Sequence, residues 1–183
     1  MSSASDSFEA SRSEKLRAIE ALGVDPWGGR FDGHQPIAEV LRLPADLPED
    51  QRPRVKVAGR IVLRRGQGKI AFVDLWDWST PLREGERGKV QVMIGQKQVG
   101  EAGWALAQQL DLGDLLGVDV TFGKTRTGEP TVFAERLTYL GKSLLPHPDK
   151  HGGMQDEEFR LRHRYLDLIY NPETLERGSS DLP

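Results

Sequence analysis

The stretch RVKVAGRIVLRRGQGKIAFVDL, residues 54–75, decides the fold class of this chain. Its first half has apolar residues at nearly every second position from Val55 to Leu63, between polar neighbours that include Arg64. This alternation is typical of a half-buried β-strand, so Leu63 is expected on the core side and Arg64 on the outer side. A glycine-containing turn at residues 66–68 then leads into a second apolar strand. The stretch therefore predicts a β-hairpin.

Three more strands and one helix follow the hairpin. The further strands are predicted from Val90 to Ile94, from Leu116 to Phe122 and from Val132 to Leu140, with a helix over residues 96–110. Residues 79–88 are rich in Pro, Gly and charge, which predicts an exposed loop. Three strands, a helix and two strands are the element order of the OB-fold, a five-stranded Greek-key barrel, although other small barrels fit the same strands. The predicted class is mainly β with α.

Helical segments flank the barrel on both sides. Ser11 and Glu14 have the spacing of a capping box, which predicts a helix that begins there and ends at Gly23. Acidic residues before an apolar stretch predict a final helix that ends at Asn171. The expected organisation is a helical extension and linker at 1–53, the barrel at 54–145 and a hinge at 146–183.

Composition and charge restrict the possible functions. The chain has no cysteine, which excludes disulfides, thiolate metal sites and cysteine nucleophiles, and we identify no catalytic or metal-ligating residues. No secretory signal or membrane span is apparent, so a cytoplasmic location without membrane contact is expected. Residues 54–145 carry 14 Lys and Arg against 10 Asp and Glu, a net charge of +4 between two acidic flanks. This modest excess is compatible with a polyanionic partner.

Several motifs resemble those of one family of RNA-binding enzymes. They are Val57-Ala58-Gly59-Arg60, Arg64-Arg65, Gly68-Lys69, Leu112-Gly113-Asp114, Lys124 to Glu129, Leu144 to Lys150, Arg164 to Ile169 and Asn171-Pro172-Glu173. This set is similar to the anticodon-binding domain and hinge of class II lysyl-tRNA synthetases, over most of residues 12–177. Aspartyl- and asparaginyl-tRNA synthetases share the barrel, but the Lys-Thr-x-Thr-Gly-Glu turn favours the lysyl branch. Trp76-Asp77-Trp78 and the long 79–88 loop depart from the family pattern.

The resemblance implies four anticodon-binding residues. Phe72 would stack on the central uracil, and Arg65, Gln91 and Glu129 would bind base edges. Uracil presents two acceptor oxygens and an N3–H donor, which suit a guanidinium, an amide and a carboxylate, whereas the N3 lone pair of cytosine would repel Glu129. Taken singly, Phe72 also fits a core position, Arg65 a solvated hairpin charge, Gln91 a surface strand residue and Glu129 a turn residue.

Three further cations are candidates for phosphate contacts, which position an RNA without selecting its sequence. They are Arg60, Arg64 and Lys69. Each of them also fits an exposed barrel face that carries scattered positive charges.

The resemblance also sets expectations for the whole chain. The family ligates lysine to its tRNA with ATP and magnesium, but the catalytic motifs do not occur here, so we expect a tRNA-binding fragment without cofactors or catalytic activity. Lysine tRNA is the expected partner, and the full-length family suggests a homodimer. The alternative is a free-standing OB-fold module that binds single-stranded nucleic acid or a protein partner.

Overall fold

The computed structural model describes residues 2–79, 82–83, 86–145 and 161–162. The chain forms two compact units, Met1–Pro146 and His147–Pro183. The predicted hinge and final helix lie outside the described residues, apart from Leu161 and Arg162, which are helical. Among the described helices, none is long and apolar enough to cross a membrane.

Five of the seven strands in the described residues form a closed barrel. The barrel strands are β1 (Arg54–Gln67), β2 (Ile70–Trp76), β5 (Val90–Gly95), β6 (Leu115–Lys124) and β7 (Pro130–Gly141), in the order β1-β2-β5-β7-β6. Antiparallel β6 closes the barrel against the first half of β1, and β5 pairs with β7 in parallel. This arrangement confirms the predicted five-stranded barrel and its class, mainly β with α.

Apolar residues at every second position of each barrel strand point into the barrel interior. Val73, Val92, Val118 and Val132 are each at most 1% exposed, and the side chains between them in the strands point outward. A strand rises about 3.3 Å per residue and changes face at every residue, so the alternation in the sequence sorts core from surface. The core prediction from periodicity is confirmed for these strands.

A β-bulge in β1 overturns the predicted facing of its second half. Ile61 pairs with Leu75 in the core, but the register then shifts, and Leu63 pairs with Asp74 on the outer face. One extra residue in a strand reverses the facing of every residue after it. The expectation that Leu63 faces the core was therefore wrong. Arg64 lies opposite the buried Val73, but its side chain is exposed, as the sequence predicted.

Two glycines allow the strands to turn and to approach closely. Gly68 begins the two-residue turn of the β1–β2 hairpin with a φ of 60°, which only glycine adopts without strain. At Gly59, a Cβ atom would lie 2.6 Å from the carbonyl oxygen of Trp76. Glycine at that position therefore lets β1 pass close to the end of β2 where the barrel closes.

The helices pack around the barrel. They are α1 (Ser2–Ala21), α2 (Ile37–Val40) and α3 (Gln96–Gln109), with a short 3-10 helix at Glu49–Gln51 in the predicted linker. Helix α1 begins at Ser2, so the predicted start at Ser11 was wrong; no glycine or proline interrupts the preceding residues. Ile19 and Ile37 are fully buried in the same hydrophobic cluster as the barrel core.

Two side chains that follow β2 form hydrogen bonds with the first amides of helix α2. The carboxylate of Asp77 accepts a hydrogen bond from the Ile37 amide at 2.9 Å, and the Ser79 hydroxyl accepts one from the Ala38 amide at 3.0 Å. These acceptors satisfy amides that a helix leaves unpaired at its N-terminus. The segment predicted as a loop also contains two short strands, β3 (Leu82–Arg83) and β4 (Glu86–Arg87), which pair with each other.

A buried group of charges fixes the end of β7. Lys142 is 1% exposed at its side chain and donates to the carboxylates of Asp111, at 2.8 Å, and Asp114, at 2.7 Å. Lys15 from helix α1 also contacts Asp111, at 2.5 Å. Burial raises the pKa of Asp111, but hydrogen bonds and charge from Lys142 and Lys15 outweigh burial, so its pKa lies below the ordinary value. The group joins α1, the turn after α3 and β7.

Candidate nucleic-acid interface

Two rows of outward-facing side chains cross four barrel strands. The strand registers align Arg65, Phe72, Met93 and Phe133 in the first row. They align Leu63, Asp74, Gln91 and Thr131 in the second row. Directly opposed residues in a ladder share one face and lie about 4.5–5.5 Å apart at their Cβ atoms. We call this surface the two-row face.

Phe72 is half-buried and points away from the barrel interior. Its neighbours in the strand, Ala71 and Val73, are 5% and 1% exposed and form part of the core. Arg65 lies directly opposite on β1 and Met93 directly opposite on β5. The alternative in which Phe72 is a core residue is therefore wrong, and its ring belongs to the outer surface.

Gln91 and Glu129 form a hydrogen-bonded pair. The Gln91 amide Nε2 donates to Glu129 Oε2 at 2.9 Å, and its carbonyl Oε1 accepts from the Thr131 hydroxyl at 3.0 Å. The carboxylate requires the nitrogen of Gln91 to face it, which fixes the orientation of the amide. Gln91 is 7% exposed and Glu129 is exposed. Among the described residues, the hydrogen bond to Glu129 uses one Nε2 hydrogen of Gln91 and the Oε2 atom of the carboxylate.

Asp74 is a nearly buried carboxylate beside this pair. Its side chain is 4% exposed, and its Oδ2 atom lies 2.5 Å from the ammonium of Lys89. Its Oδ1 atom lies 3.9 Å from the guanidinium of Arg65. The two cations are about half exposed, with side-chain exposures of 48% for Lys89 and 55% for Arg65. Both cations therefore contact a buried anion and still present surface to the solvent.

The three other predicted cations do not join the four predicted anticodon residues. The guanidinium of Arg60 is half-buried and donates to the Gly113 carbonyl at 2.7 Å, and burial lowers its pKa despite the opposing charge of Asp114. Arg64 donates to the Ala107 carbonyl at 3.3 Å, beside an open groove between the hairpin and α3. Lys69 is exposed in the hairpin turn. Their phosphate contacts stay predictions without a shared site.

Sequence analysis missed several polar and apolar residues of the two-row face and its surroundings. They include Asp74, Lys89, Met93, Thr131 and Phe133. Alternation along β2 carries a usable signal for Asp74, because an acidic residue two positions after Phe72 must share its face. Phe133 is recognised as part of this face only from the parallel β5–β7 pairing. The guanidinium of Arg52 lies over its ring, 4.6 Å from the ring centroid.

The chemistry of this face suits recognition by stacking and hydrogen bonds. An aromatic ring can stack on an unstacked base, and a guanidinium and an amide–carboxylate pair can form hydrogen bonds with its edge. Such binding needs no cofactor. Within the described residues, no group of three or more His, Cys, Asp or Glu side chains is placed to hold a metal ion.

The chain is similar to one family of nucleic-acid-binding domains and to several lysine–tRNA ligases. Residues 55–140 match the tRNA anti-codon family, described as an OB-fold nucleic acid binding domain. The chain is 40% identical over 169 residues to the lysine–tRNA ligase of Dehalococcoides mccartyi. These matched residues cover 91% of this chain and 32% of the relative. The lysine–tRNA ligases of Enterococcus faecalis and Latilactobacillus sakei are 40% and 38% identical over 170 residues, with the same coverage. The chain thus spans 32% of the length of these curated relatives.

The barrel, its order of elements, the family match and the relatives all lead to one assignment. Residues 55–140 form an anticodon-binding OB-fold domain homologous to the N-terminal region of lysyl-tRNA synthetases.

Proposed function

We propose that the two-row face binds the anticodon of lysine tRNA. One observation supports this most directly: a half-buried aromatic ring shares one outer surface with a guanidinium directly opposite it and with an amide–carboxylate pair in the adjacent row. The relatives are named lysine–tRNA ligases, which supports the choice of the lysine anticodon as the ligand. We also propose a cytoplasmic location and a role in translation, which the names of these relatives support.

Phe72 supplies the stacking surface. Stacking of one base on an aromatic side chain contributes about 1–3 kcal/mol. Because Ala71 and Val73 are anchored in the core, the ring is held by the barrel and loses little freedom when a base stacks on it. We assign the central uracil to this ring.

Arg65, Gln91 and Glu129 supply selectivity for uracil. The Oε1 atom of Glu129 accepts the N3–H of uracil, and the guanidinium of Arg65 or the second Nε2 hydrogen of Gln91 donates to a uracil oxygen. Cytosine has an unprotonated N3, which would face the carboxylate lone pair against lone pair. The Gln91–Glu129 hydrogen bond keeps the carboxylate in place before the RNA arrives.

Binding measurements on the whole chain test this proposal. We expect lysine tRNA to bind more tightly than unrelated tRNAs, with an affinity that falls as salt rises, and a change of the central anticodon U to C to weaken binding. Equal affinity for unrelated tRNAs at moderate salt would contradict anticodon recognition. Displacement of lysine tRNA by a mixed-sequence single strand at similar concentration would instead favour a general single-strand binder.

A further inference from the structure

Asp74 occupies an unusual position on the two-row face. It lies between two outward-facing neighbours in β2, Phe72 and Trp76, and directly opposite Gln91 on β5. An outward-facing strand residue is normally wetted by solvent, yet Asp74 is 3% exposed. Burial of a carboxylate is costly unless the charge is paired and hydrogen-bonded. The location of its partners therefore explains how this carboxylate is tolerated.

Lys89 and Arg65 approach Asp74 at its two different oxygens. The Lys89 ammonium contacts Oδ2 at 2.5 Å, and the Arg65 guanidinium lies 3.9 Å from Oδ1. The contact with Lys89 is the stronger one because it is shorter. The contact with Arg65 attracts the guanidinium and leaves most of its five N–H donors for other acceptors. Because the carboxylate is held by strand β2, it restricts both long side chains to the surface beside Phe72.

The two cations suit different tasks. Arg65 lies directly opposite Phe72, where its planar guanidinium would reach the edge of a base stacked on the ring. Lys89 precedes β5 by one residue and presents a compact ammonium, which binds phosphate as a point charge. A base on the ring must have its own phosphates beside it, and phosphate contacts position an RNA while base contacts select its sequence.

We propose that Lys89 binds an RNA backbone phosphate next to the base on Phe72, and that Asp74 is a positioning residue that holds Lys89 and Arg65 for this purpose. This inference rests on the proposed function, and it adds two residues to that site. For removal of the Asp74 charge, it predicts a change in RNA affinity opposite in sign to the change expected from charge repulsion alone. Loss of a negative charge beside a polyanion strengthens binding, whereas loss of a positioning carboxylate weakens it.

The Asp74→Asn variant tests the positioning role. We expect on the order of tenfold weaker binding of lysine tRNA, because the amide no longer forms charge-assisted contacts with the two cations. We also expect Asp74→Asn and Lys89→Gln together to lose less affinity than the sum of their separate losses, since both variants disturb the 2.5 Å contact between Asp74 and Lys89. Asp119→Asn is the matched control, because Asp119 pairs with Lys56 on the β1–β6 side of the barrel. Unchanged or tighter binding by Asp74→Asn, in a chain with an unchanged urea midpoint, overturns the positioning role.

The Lys89→Gln variant tests the phosphate contact. We expect the slope of log affinity against log salt to become shallower by about 0.7–1, with the same fold-loss for U and C anticodons. Lys56→Gln is the control and should leave the slope unchanged. A slope equal to that of the unaltered chain overturns the phosphate contact.

The salt slope also separates this inference from the proposed function. If the unaltered chain binds all RNAs equally, anticodon recognition fails, yet the Lys89 slope still decides the phosphate contact on any RNA. If the unaltered chain binds no RNA, both fail.

Discussion

Arg65 lies directly opposite Phe72 across the β1–β2 ladder, on the outer face of the barrel. The bulge between Ile61 and Leu63 produces this relationship, because an uninterrupted alternation would turn Arg65 towards the barrel interior. One extra residue in a strand thus brings a guanidinium beside an aromatic ring. The proposed recognition of a base depends on that neighbourhood.

Replacement of Phe72 by alanine should weaken binding of lysine tRNA by about 1–3 kcal/mol, because a stacking surface is lost. Phe72→Tyr should retain most of the affinity, since the ring is kept. Trp78→Ala is the control, because Trp78 is 78% exposed and lies outside the two-row face. Fluorescence anisotropy titration measures all three. Equal losses for the Phe72 and Trp78 variants would contradict a specific stacking role.

Glu129→Gln should reduce discrimination between U and C at the central anticodon position. A glutamine amide donates to the N3 atom of cytosine, which the carboxylate repels, so the ratio of the two affinities should fall by roughly tenfold. Glu135→Gln is the control, since Glu135 pairs with Arg54 elsewhere on the barrel. The measurement is the affinity for two transcripts that differ only at that base. An unchanged ratio would remove Glu129 from the recognition scheme.

Asp77→Ala should lower the free energy of unfolding by about 0.5–2 kcal/mol, because the Ile37 amide at the start of α2 loses its acceptor. Asp77→Asn should cost less, since its side-chain oxygen still accepts a hydrogen bond. Urea denaturation monitored by tryptophan fluorescence measures both variants. RNA affinity at a temperature where the chains are folded should not change, and a change would place Asp77 in the interface.

Lys142→Met should destabilise the fold by about 3–5 kcal/mol, because it leaves the fully buried Asp114 without its cation. Lys124→Met is the control. Lys124 pairs with the exposed Asp46, and removal of such a surface pair costs about 0–1 kcal/mol. Thermal and urea unfolding give both values. A loss below 1 kcal/mol for Lys142→Met would show that the buried pair is not needed for stability.

Acid should weaken the fold partly through Asp111. Its folded pKa lies below the ordinary value of about 3.9, so the stabilisation is complete above about pH 4 and is lost as pH falls through the folded pKa. In an Asp111→Asn variant, stability should therefore fall less steeply with acid. Asp32→Asn is the control, because Asp32 has an exposed salt bridge with Arg30. Parallel pH profiles for the unaltered and Asp111→Asn chains would contradict the pKa shift.

Much of the barrel follows from local sequence. Alternating apolar residues predict all five barrel strands, and the switch to helical spacing after Ile94 predicts α3. The start of α1 was not predicted, because capping boxes also occur where a helix simply continues. The short β3–β4 hairpin was missed as well, because a stretch rich in Pro, Gly and charge contains no alternating pattern.

Part of the candidate site also follows from local sequence, and the rest depends on tertiary contacts. Phe72 and Asp74 belong to one face by alternation alone. The contacts of Gln91 with Glu129 and Thr131 need the chain to bring residues about 40 positions apart into contact, which periodicity does not encode.

The sequence by itself determined the strands and most of the core, because burial of apolar residues at every second position depends only on strand geometry. The tertiary structure alone decided which polar residues meet. The bulge in β1 sets the facing of Arg65, the parallel β5–β7 pairing places Thr131 beside Gln91, and closure of the barrel brings Lys56 opposite Asp119. Register and closure are properties of pairs of strands, so no single segment of the sequence contains them.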